Sequence, residues 1–415
     1  MNDTYYTGFD VHKKSIQYCI KLADGTLVSE GRIPATRAAL QQWVEGQKAP
    51  WRGALEATMF TAWIYDFLAP HARELKVAHP ALLEAIAAGK HASDPLDART
   101  ICDLARANLI PGVWMAPPEI RALRTKLRYR NLVVRQSTQT MNRIAGTLME
   151  HGVEYSKSKL HGKRYFQQLL GNLKEVPETV RTMLRYGRAS LDAFQSTQRL
   201  LLRQLSADRS LAERVRLLRT IPGVGEVTAL TWALEIGDPQ RFPSAERAMS
   251  YCGLVAPLQE SAGKRYRQPL SKKRNRHLQS MLIEAAHLAP RYYPELRRLY
   301  DETKRKRHAG AAAVAVARKL VSYLLCVDKT RQPFQVRQQN PAPNSPAGKV
   351  ASLPAPPIEN ASLARRSSPS RVRSAAAEAA APRTAPGRRA TPPAAMGGSG
   401  GKATRAARSS QTLVG

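Results

Sequence analysis

Four acidic side chains are the residues of this sequence whose types could together hold a metal ion. Asp10 and Glu56 lie near the ends of the apolar segments "TYYTGFDV" and "RGALEAT", and Asp94 and Asp97 lie in "SDPLDART". A spacing of three places Asp94 and Asp97 on one face of a helix, where two bare carboxylates repel each other. Carboxylate oxygens are the ligands that Mg²⁺ prefers, and bound Mg²⁺ activates water or a hydroxyl and neutralises phosphate charge. The four acids therefore predict a magnesium site if the fold brings them together.

Asp94 and Asp97 also have a simpler interpretation. Ser93 is a candidate N-cap and Pro95 suits a first helical turn, so that "LDARTICDLARA" continues as an amphipathic helix. Acids at a helix N-terminus are favoured by the helix macrodipole without any metal. Whether Asp10 and Glu56 lie close to Asp94 and Asp97 in the fold decides between a metal site and simple helix capping.

The first hundred residues contain the elements that would position the acids. Three strand patterns, the second and third joined by the Asp-Gly turn of "ADGT", are followed by a helix capped by Thr36, a buried strand with Glu56, a second helix and a further strand. The order βββαβαβ, with three antiparallel strands followed by parallel ones, is the ribonuclease H arrangement. In it the strands of Asp10 and Glu56 are neighbours, and a helix packed on the sheet brings Asp94 and Asp97 to the same edge.

The sequence after residue 116 is mostly helical in pattern. Residues 117–218 predict a helical arm or coiled-coil spacer, and its basic face either lies along a phosphate backbone or is merely solvated. The residues of that face are Arg121, Arg124, Arg128, Arg130 and Arg135.

A second, mostly helical module begins near residue 213. Its segment "IPGVG" joins two helices in the manner of a helix-hairpin-helix motif. Gly223 and Gly225 either point backbone N–H groups at a phosphate or allow an ordinary tight connection between helices. Both interpretations remain open at this point.

The fold class predicted is α/β plus all-α, divided into four regions. They are a mixed-sheet domain over residues 1–115, a helical arm over 116–212, a second helical domain over 213–334, and a basic tail over 335–415. The tail lacks aromatic residues and holds 11 of the 28 prolines between residues 340 and 415. Such a composition cannot bury enough apolar surface to fold, so we expect the tail to be disordered, as a nucleic-acid tether or an inert extension.

The charge of the sequence points to a polyanionic partner. Lysine and arginine number 65 against 32 aspartate and glutamate, a formal net charge of +33. Basic surfaces bind nucleic acids by displacing counterions from the phosphate backbone. A merely soluble basic protein or a membrane-surface binder is the alternative, but no basic amphipathic helix with a strong apolar face stands out. We expect a nucleic-acid partner and no membrane.

The cysteines and the N-terminus indicate a cytoplasmic protein. The four cysteines form no CxxC pair, so neither a zinc module nor a disulfide framework is expected. The N-terminus has no apolar core of a signal peptide, and no run of eighteen apolar residues occurs.

The sequence resembles a family of bacterial insertion-sequence transposases that join a RuvC-like DEDD domain to a C-terminal serine-bearing domain, and that act as RNA-guided bridge recombinases. The resemblance lies in "GFDVHKKS", "ALEAT" and "SDPLDART", and downstream in the segment from "IPGVGEVTALTWALEIGD" to "LSKKRNRHLQSMLIEAA". It covers residues 4 to 330, with the motifs in the expected order. It implies that Asp10, Glu56, Asp94 and Asp97 are the DEDD residues.

The resemblance also implies a catalytic serine. The family has a Ser-Gly-Gly-Lys-like loop, and this sequence has "ESAGK", so that Ser261 is the counterpart and Ala262 replaces the middle glycine. A loop serine alone is more often a turn or capping residue. Ser271 is the competing nucleophile, but it is better interpreted as the N-cap of the following basic helix.

Basic residues surround both serines and are candidates for phosphate binding. At the segment "SKKRN" the family more often has a sequence that contains glycine. The candidates are Lys264, Arg265, Arg267, Lys272, Lys273 and Arg274.

The function expected from the resemblance is strand exchange between donor and target DNA. It implies Mg²⁺ as cofactor, a structured guide RNA, a dimer or tetramer, and a location at the bacterial nucleoid. Two alternatives remain: a metal-dependent nuclease or Holliday-junction resolvase that uses water in place of serine, and a noncatalytic nucleic-acid-binding protein whose acids only cap helices.

Overall fold

A six-stranded mixed sheet forms the first part of the chain. The structure is a computed structural model, and it describes residues 4–87, 98–256, 258–261, 264–267, 269–271 and 274–335. Asp94, Asp97, Ala262, Lys272 and Lys273 lie outside the described residues, as does the predicted tail beyond residue 335.

The strands of the sheet lie in the order β3-β2-β1-β4-β5-β6. Strands β1, β2 and β3 are antiparallel neighbours, β4 and β5 run parallel to β1, and β6 is antiparallel to β5. Their bounds are β1 Tyr5–Val11, β2 Ser15–Lys21, β3 Leu27–Pro34, β4 Trp51–Glu56, β5 Glu74–Ala78 and β6 Gly112–Val113. The short strand β6 was not predicted from the sequence.

Four helices belong to the sheet region, and the predicted order βββαβαβ is confirmed. They are α1 Arg37–Glu45, α2 Thr61–Leu68, α3 Pro80–Ala87 and α4 Ala98–Arg106. Thr36 caps α1 as expected, because its hydroxyl accepts a hydrogen bond of 3.3 Å from the amide of Ala39.

The two faces of the sheet are packed by different kinds of residue. One face carries an aromatic core in which Phe9, Trp43 and Trp51 meet edge to face, with ring centroids 5.1–5.7 Å apart. The other face is lined by small residues such as Gly8 and Ala54, which let the backbone of α4 come close. Large side chains on that face would hold α4 away from the sheet.

The helices after the sheet continue to residue 330, and the helical content predicted for residues 117–218 is confirmed. Their bounds are α5 Pro118–Glu150, α6 Lys163–Gly171, α7 Glu178–Ser206, α8 Arg209–Leu218, α9 Glu226–Ile236, α10 Ala245–Tyr251, α11 Arg276–Leu288, α12 Pro294–Lys306 and α13 Ala309–Thr330. A hairpin of β7 Leu258–Ser261 and β8 Lys264–Arg267 lies between α10 and α11. The division of this region into an arm and a domain stays a prediction.

Helices α5 and α7 pack against each other in antiparallel directions. Gly187 lies against Ile144, whereas Leu127 and Leu205 meet in a separate cluster near the other ends of the helices. The pair therefore forms a helical hairpin with apolar side chains along its seam.

Helix α9 lies at the centre of the largest core cluster, with every residue from Thr228 to Ile236 buried. Helix α13 packs in the same cluster through Leu320 and Leu324. By length and composition α13 would suffice to cross a membrane, but half of its apolar window is buried inside the fold, which is typical of a core helix.

Gly8 tests the close approach of α4 to the sheet. In Gly8→Ala the added methyl group meets the backbone oxygen of Ala98 and the backbone nitrogen of Cys102, which cannot rotate away. We expect the free energy of unfolding, measured by denaturant titration, to fall by about 1–3 kcal/mol. Gly112→Ala is the control, because its methyl group enters open space. Equal effects of the two substitutions would contradict the packing described here.

Candidate functional site

Asp10 and Glu56 come together at the carboxyl edge of two neighbouring strands. Phe9 of β1 pairs with Leu55 of β4 in parallel register, so the next residues are Asp10 and Glu56. Parallel neighbours lie about 4.8 Å apart. Phe9 and Leu55 point into the aromatic core, and because successive side chains alternate, both acids belong to the opposite face, the face that α4 covers.

The surroundings of Asp10 include a histidine that sequence reasoning missed. The side chain of Asp10 is 14% exposed, and its Oδ2 atom lies 3.0 Å from Nε2 of the half-exposed His12. His12 directly follows β1, two positions beyond Asp10, which corresponds to the same face of an extended chain. This spacing in "DVH" is the signal that would have identified His12.

The end of β4 is fixed by backbone and hydroxyl contacts around Glu56. The hydroxyl of Thr61 donates to the carbonyl of Glu56 at 3.0 Å, and the amide of Ala57 donates to the carbonyl of Ala78 at 3.0 Å. These bonds hold the turn that follows β4, and with it the direction of the Glu56 backbone.

Helix α4 runs opposite to β1, with its N-terminus toward Asp10. The carbonyl of Ala98 lies over Gly8, and the thiol of Cys102 donates to the carbonyl of Tyr6 at 3.1 Å. Burial raises the pKa of that thiol to about 12, so it remains a protonated donor. Because Cys102 follows Ala98 and Tyr6 precedes Gly8, the helix and the strand run in opposite directions.

Two ion pairs fix α4 across the antiparallel strands. Lys21 of β2 lies 2.7 Å from a carboxylate oxygen of Asp103, and Arg99 donates to Glu30 of β3 at 2.6 Å. Both pairs are partly exposed, so each contributes little to stability.

The structure thus describes two of the four predicted metal ligands. Asp94 and Asp97 lie outside the described residues, and Asp97 directly precedes the first described residue of α4. Within the described residues, no group of three or more His, Cys, Asp or Glu side chains could hold a metal ion.

The predicted nucleophile lies on the β7–β8 hairpin. Ser261 is the last residue of β7, and its backbone pairs with that of Lys264, the first residue of β8. Strand β8 also contains Arg265 and Arg267, which pair with Glu260 and Leu258. The backbone therefore places three basic residues on the strand that returns beside Ser261.

The prediction that Ser271 caps the following helix is wrong. Helix α11 begins at Arg276, and Asn275 is its N-cap, with Oδ1 accepting from the amides of His277 at 3.1 Å and Leu278 at 3.2 Å. Three residues separate Ser271 from Asn275, too far for its hydroxyl to reach the first helical amides. Arg274, a candidate phosphate ligand, donates to the carbonyl of Ser271 at 2.6 Å.

The "IPGVG" segment joins α8 and α9, and its two glycines differ in environment. Gly223 has a φ of +84°, and a Cβ atom there would lie 2.5 Å from Cα of Ala289. Gly225 is the N-cap of α9, and a Cβ atom there would meet nothing within 4 Å. Packing therefore explains Gly223, whereas Gly225 lies where a ligand can reach the backbone.

Three arginines of the predicted basic face bind inside the protein. Arg121 contacts the carboxylate of Asp66, Arg124 donates to the carbonyl of Leu234 at 3.0 and 2.8 Å, and Arg128 donates to Glu235. Simple solvation does not describe Arg121 and Arg124, whose side chains are mostly buried, whereas the side chain of Arg128 remains 47% exposed beside Glu235.

Two family models match the chain. One, described as "Transposase IS116/IS110/IS902 family", matches residues 215–301, and the other, for the DEDD transposase domain of the IS110 type, matches residues 7–152. Together they cover more than half of the chain, and they include Asp10, Glu56, Asp94, Asp97 and Ser261.

Several relatives bear names that describe DNA rearrangement. A transposase homologue of Sinorhizobium fredii is 26% identical over 240 residues, covering 57% of this chain and 58% of the relative. The transposase for insertion sequence element IS1111A of Coxiella burnetii is 26% identical over 208 residues, covering 47% and 54%. The pilin gene-inverting protein of Moraxella bovis is 29% identical over 133 residues, covering 31% and 40%. The chain thus spans little more than half of the first two.

Substitutions of the two glycines of "IPGVG" test the close packing at Gly223 against the open environment of Gly225. Gly223→Ala forces a side chain into the left-handed region and against Ala289, so we expect a loss of stability above about 2 kcal/mol. Gly225→Ala should cost only about 0.5–1 kcal/mol, because alanine is a poorer N-cap than glycine but its methyl group enters open space. Denaturant titration measures both, and a Gly225→Ala variant as destabilised as Gly223→Ala would refute the open environment described for Gly225.

Proposed function

Because the chain belongs to the IS116/IS110/IS902 family of insertion-sequence transposases, we propose that it is a DNA recombinase that combines a metal site with a serine nucleophile. The observation that carries the proposal is the meeting of Asp10 and Glu56 at one sheet edge, on the face covered by α4. The topology of the sheet supports a ribonuclease H-like, RuvC-like domain in this part of the chain.

The direction of α4 supports a site made of all four acids. Ala98 packs on Gly8, and Asp10 lies two residues beyond Gly8, about 7 Å farther along the strand. The chain that enters α4 carries Asp97 and Asp94, and consecutive Cα atoms are about 3.8 Å apart. In the proposed site Asp97 would lie within reach of Asp10 and Glu56.

The four carboxylates would hold Mg²⁺, since hard oxygen donors suit this ion. When bound, Mg²⁺ supplies charge that stabilises the transferring phosphoryl group. Asp10 and Glu56 would supply carboxylate ligands from the edge of the sheet. Nε2 of His12 lies 3.0 Å from one carboxylate oxygen of Asp10 and would hold that side chain in place. The requirement for four acids, two of them preceding α4, distinguishes this site from acids that only cap a helix.

Ser261 would attack the phosphodiester. Its oxygen forms a bond to phosphorus as the bond from phosphorus to a deoxyribose oxygen breaks, and the proton of the serine leaves with that sugar oxygen. The product is a phosphoserine link that keeps the phosphoester bond for rejoining. Lys264, Arg265 and Arg267 on the return strand would bind the flanking phosphates.

The charge of the chain and its relatives support strand exchange on DNA. A net charge of +33 favours a polyanionic partner. The relative named as a pilin gene-inverting protein suggests a reaction that rejoins DNA as well as cutting it. A structured guide RNA would pair with donor and target DNA, so that the protein need recognise only backbone and shape. A dimer or tetramer would complete the reaction on both DNAs, in the cytoplasm at the nucleoid.

The serine is tested by trapping its adduct. Protein expressed from its whole element, with flanking DNA, should yield a covalent protein–DNA adduct on denaturing gels. In Ser261→Ala we expect the yield to fall by at least about 1000-fold, because the nucleophile is removed. Ser271→Ala is the control and should keep the adduct. An undiminished adduct in Ser261→Ala would exclude this serine, and no adduct in the unaltered protein would favour a nuclease or resolvase that uses water.

The acids are tested by matched substitutions before and within α4. Asp97→Asn should reduce Mg²⁺-dependent strand exchange by at least about 100-fold, because a ligand is lost. Asp103→Asn removes an acid of the same helix that binds Lys21, and should change exchange by less than about threefold. Strand exchange is measured by sequencing the junctions. Full activity in Asp97→Asn would remove the metal site, and DNA binding without any cleavage in the unaltered protein would favour a noncatalytic binder.

A further inference from the structure

Glu235 is a fully buried carboxylate near the end of the apolar helix α9. Its side chain is 0% exposed, and its neighbours Leu234 and Ile236 are buried as well. A buried charge is costly unless it is paired and hydrogen-bonded. The protein therefore holds this carboxylate with dedicated partners.

The partners of Glu235 come from two separate elements. Arg128 of α5 donates two hydrogen bonds of 2.8 Å, one to each carboxylate oxygen. Asn275, the N-cap of α11, donates a third through Nδ2 at 2.8 Å. Burial alone would raise the pKa of Glu235, but these hydrogen bonds and the charges of Arg128 and Arg124 hold the pKa below its ordinary value. The carboxylate therefore remains ionised between α5 and α11.

Tyr251 and Asn275 lie on either side of the β7–β8 hairpin in the chain, seven positions before β7 and eight positions after β8. The backbone amide of Asn275 donates to the carbonyl of Tyr251 at 3.0 Å, and the hydroxyl of Tyr251 donates to the backbone carbonyl of Glu235 at 3.3 Å. The two chain segments that flank the hairpin thus contact each other and Glu235.

A second set of contacts closes the base of the hairpin. Gln279 of α11 donates to the carbonyl of Gly253 at 2.6 Å. Gly253 has a φ of +70°, and a Cβ atom there would lie 2.4 Å from Cβ of Arg274. Residues 251–254 and 274–279 therefore form one closely packed base. Among the described residues of these two segments and the partners named here, Glu235 is the only buried carboxylate.

We propose that Glu235 is a positioning residue for the serine hairpin. Through one carboxylate it holds Asn275 at the base of the hairpin and Arg128 on α5, so that the backbone of Ser261 keeps one orientation relative to that helix. Because Glu235 is inaccessible, it acts through Asn275 and contacts no nucleic acid. The inference rests on the proposed role of Ser261, and it adds a residue outside the four acids and the serine.

Three variants separate the proposed positioning role of Glu235 from the N-cap role of Asn275. Glu235→Gln removes the charge and one acceptor. Asn275→Asp keeps a good N-cap but replaces the Nδ2 donor by an oxygen that faces the Glu235 carboxylate. The double variant Glu235→Gln/Asn275→Asp exchanges donor and acceptor between these two side chains, but the new amide nitrogen replaces an oxygen that also accepts from Arg128. Partial recovery in the double variant is therefore expected, and only if the contact between these two side chains is what matters.

Asp328→Asn is the matched control for the loss of a buried carboxylate. Asp328 of α13 is also 0% exposed, and it accepts hydrogen bonds from Arg214 at 2.7 and 2.6 Å and from Trp232 at 2.9 Å. It belongs to the same helical core as Glu235 but contacts neither α11 nor the hairpin through these bonds. Its replacement lowers stability without altering the base of the hairpin.

Two measurements on the full chain are needed. Hydrogen–deuterium exchange of residues 251–254 and 274–279 should rise at least about tenfold in Glu235→Gln and in Asn275→Asp, and should be at least about threefold slower in the double variant than in either single variant. The rate of the Ser261 adduct, measured with DNA of the element itself, should fall at least about tenfold in the single variants while DNA affinity changes less than about threefold. Asp328→Asn should leave both within about threefold of the unaltered protein.

The outcomes distinguish this inference from the proposed function. Unchanged exchange in Glu235→Gln, no recovery in the double variant, or an equal effect of Asp328→Asn would overturn the positioning role. If the unaltered protein forms no Ser261 adduct, the serine mechanism fails, and exchange alone then decides whether Glu235 holds the hairpin.

Discussion

The close contact between α4 and β1 is the constraint on which the proposed acidic site depends. Gly8 has no side chain, so the backbone of Ala98 rests directly on the strand two residues before Asp10. With a side chain at this point, the first turn of α4 would stand farther from the sheet and from the edge where Asp10 and Glu56 meet. The aromatic core on the opposite face keeps the strands in register, so both faces contribute to one geometry.

Sequence patterns predicted the sheet region well because its signals are local. Alternation of apolar residues marks β1 and β4, the Thr36 cap marks α1, and the parallel register of the two acid-bearing strands follows from topology. Strand β6 has only two residues and carries no such pattern, since its pairing with β5 depends on the fold around it.

The errors in prediction arose from contacts between distant residues. Ser271 and Asn275 are both good capping residues, and the structure uses Asn275, whose side chain also contacts Glu235 and whose backbone amide contacts Tyr251. Similarly, the arginines of α5 form a basic stripe in the sequence, but their partners Asp66 and Glu235 lie 55 and 107 residues away. Spacing along one helix cannot reveal such partners.

Helix α5 connects the sheet region to the helical core around α9. Arg121 contacts Asp66 of α2, a helix that packs on the aromatic-core face of the sheet, and Arg128 binds Glu235 of α9. The two arginines are seven positions apart, a rise of about 10.5 Å, so both contacts lie within about two turns of one helix. The same helix therefore joins two regions through contacts between arginine and carboxylate, and arginines of this basic protein hold elements of the fold together as well as adding to its surface charge.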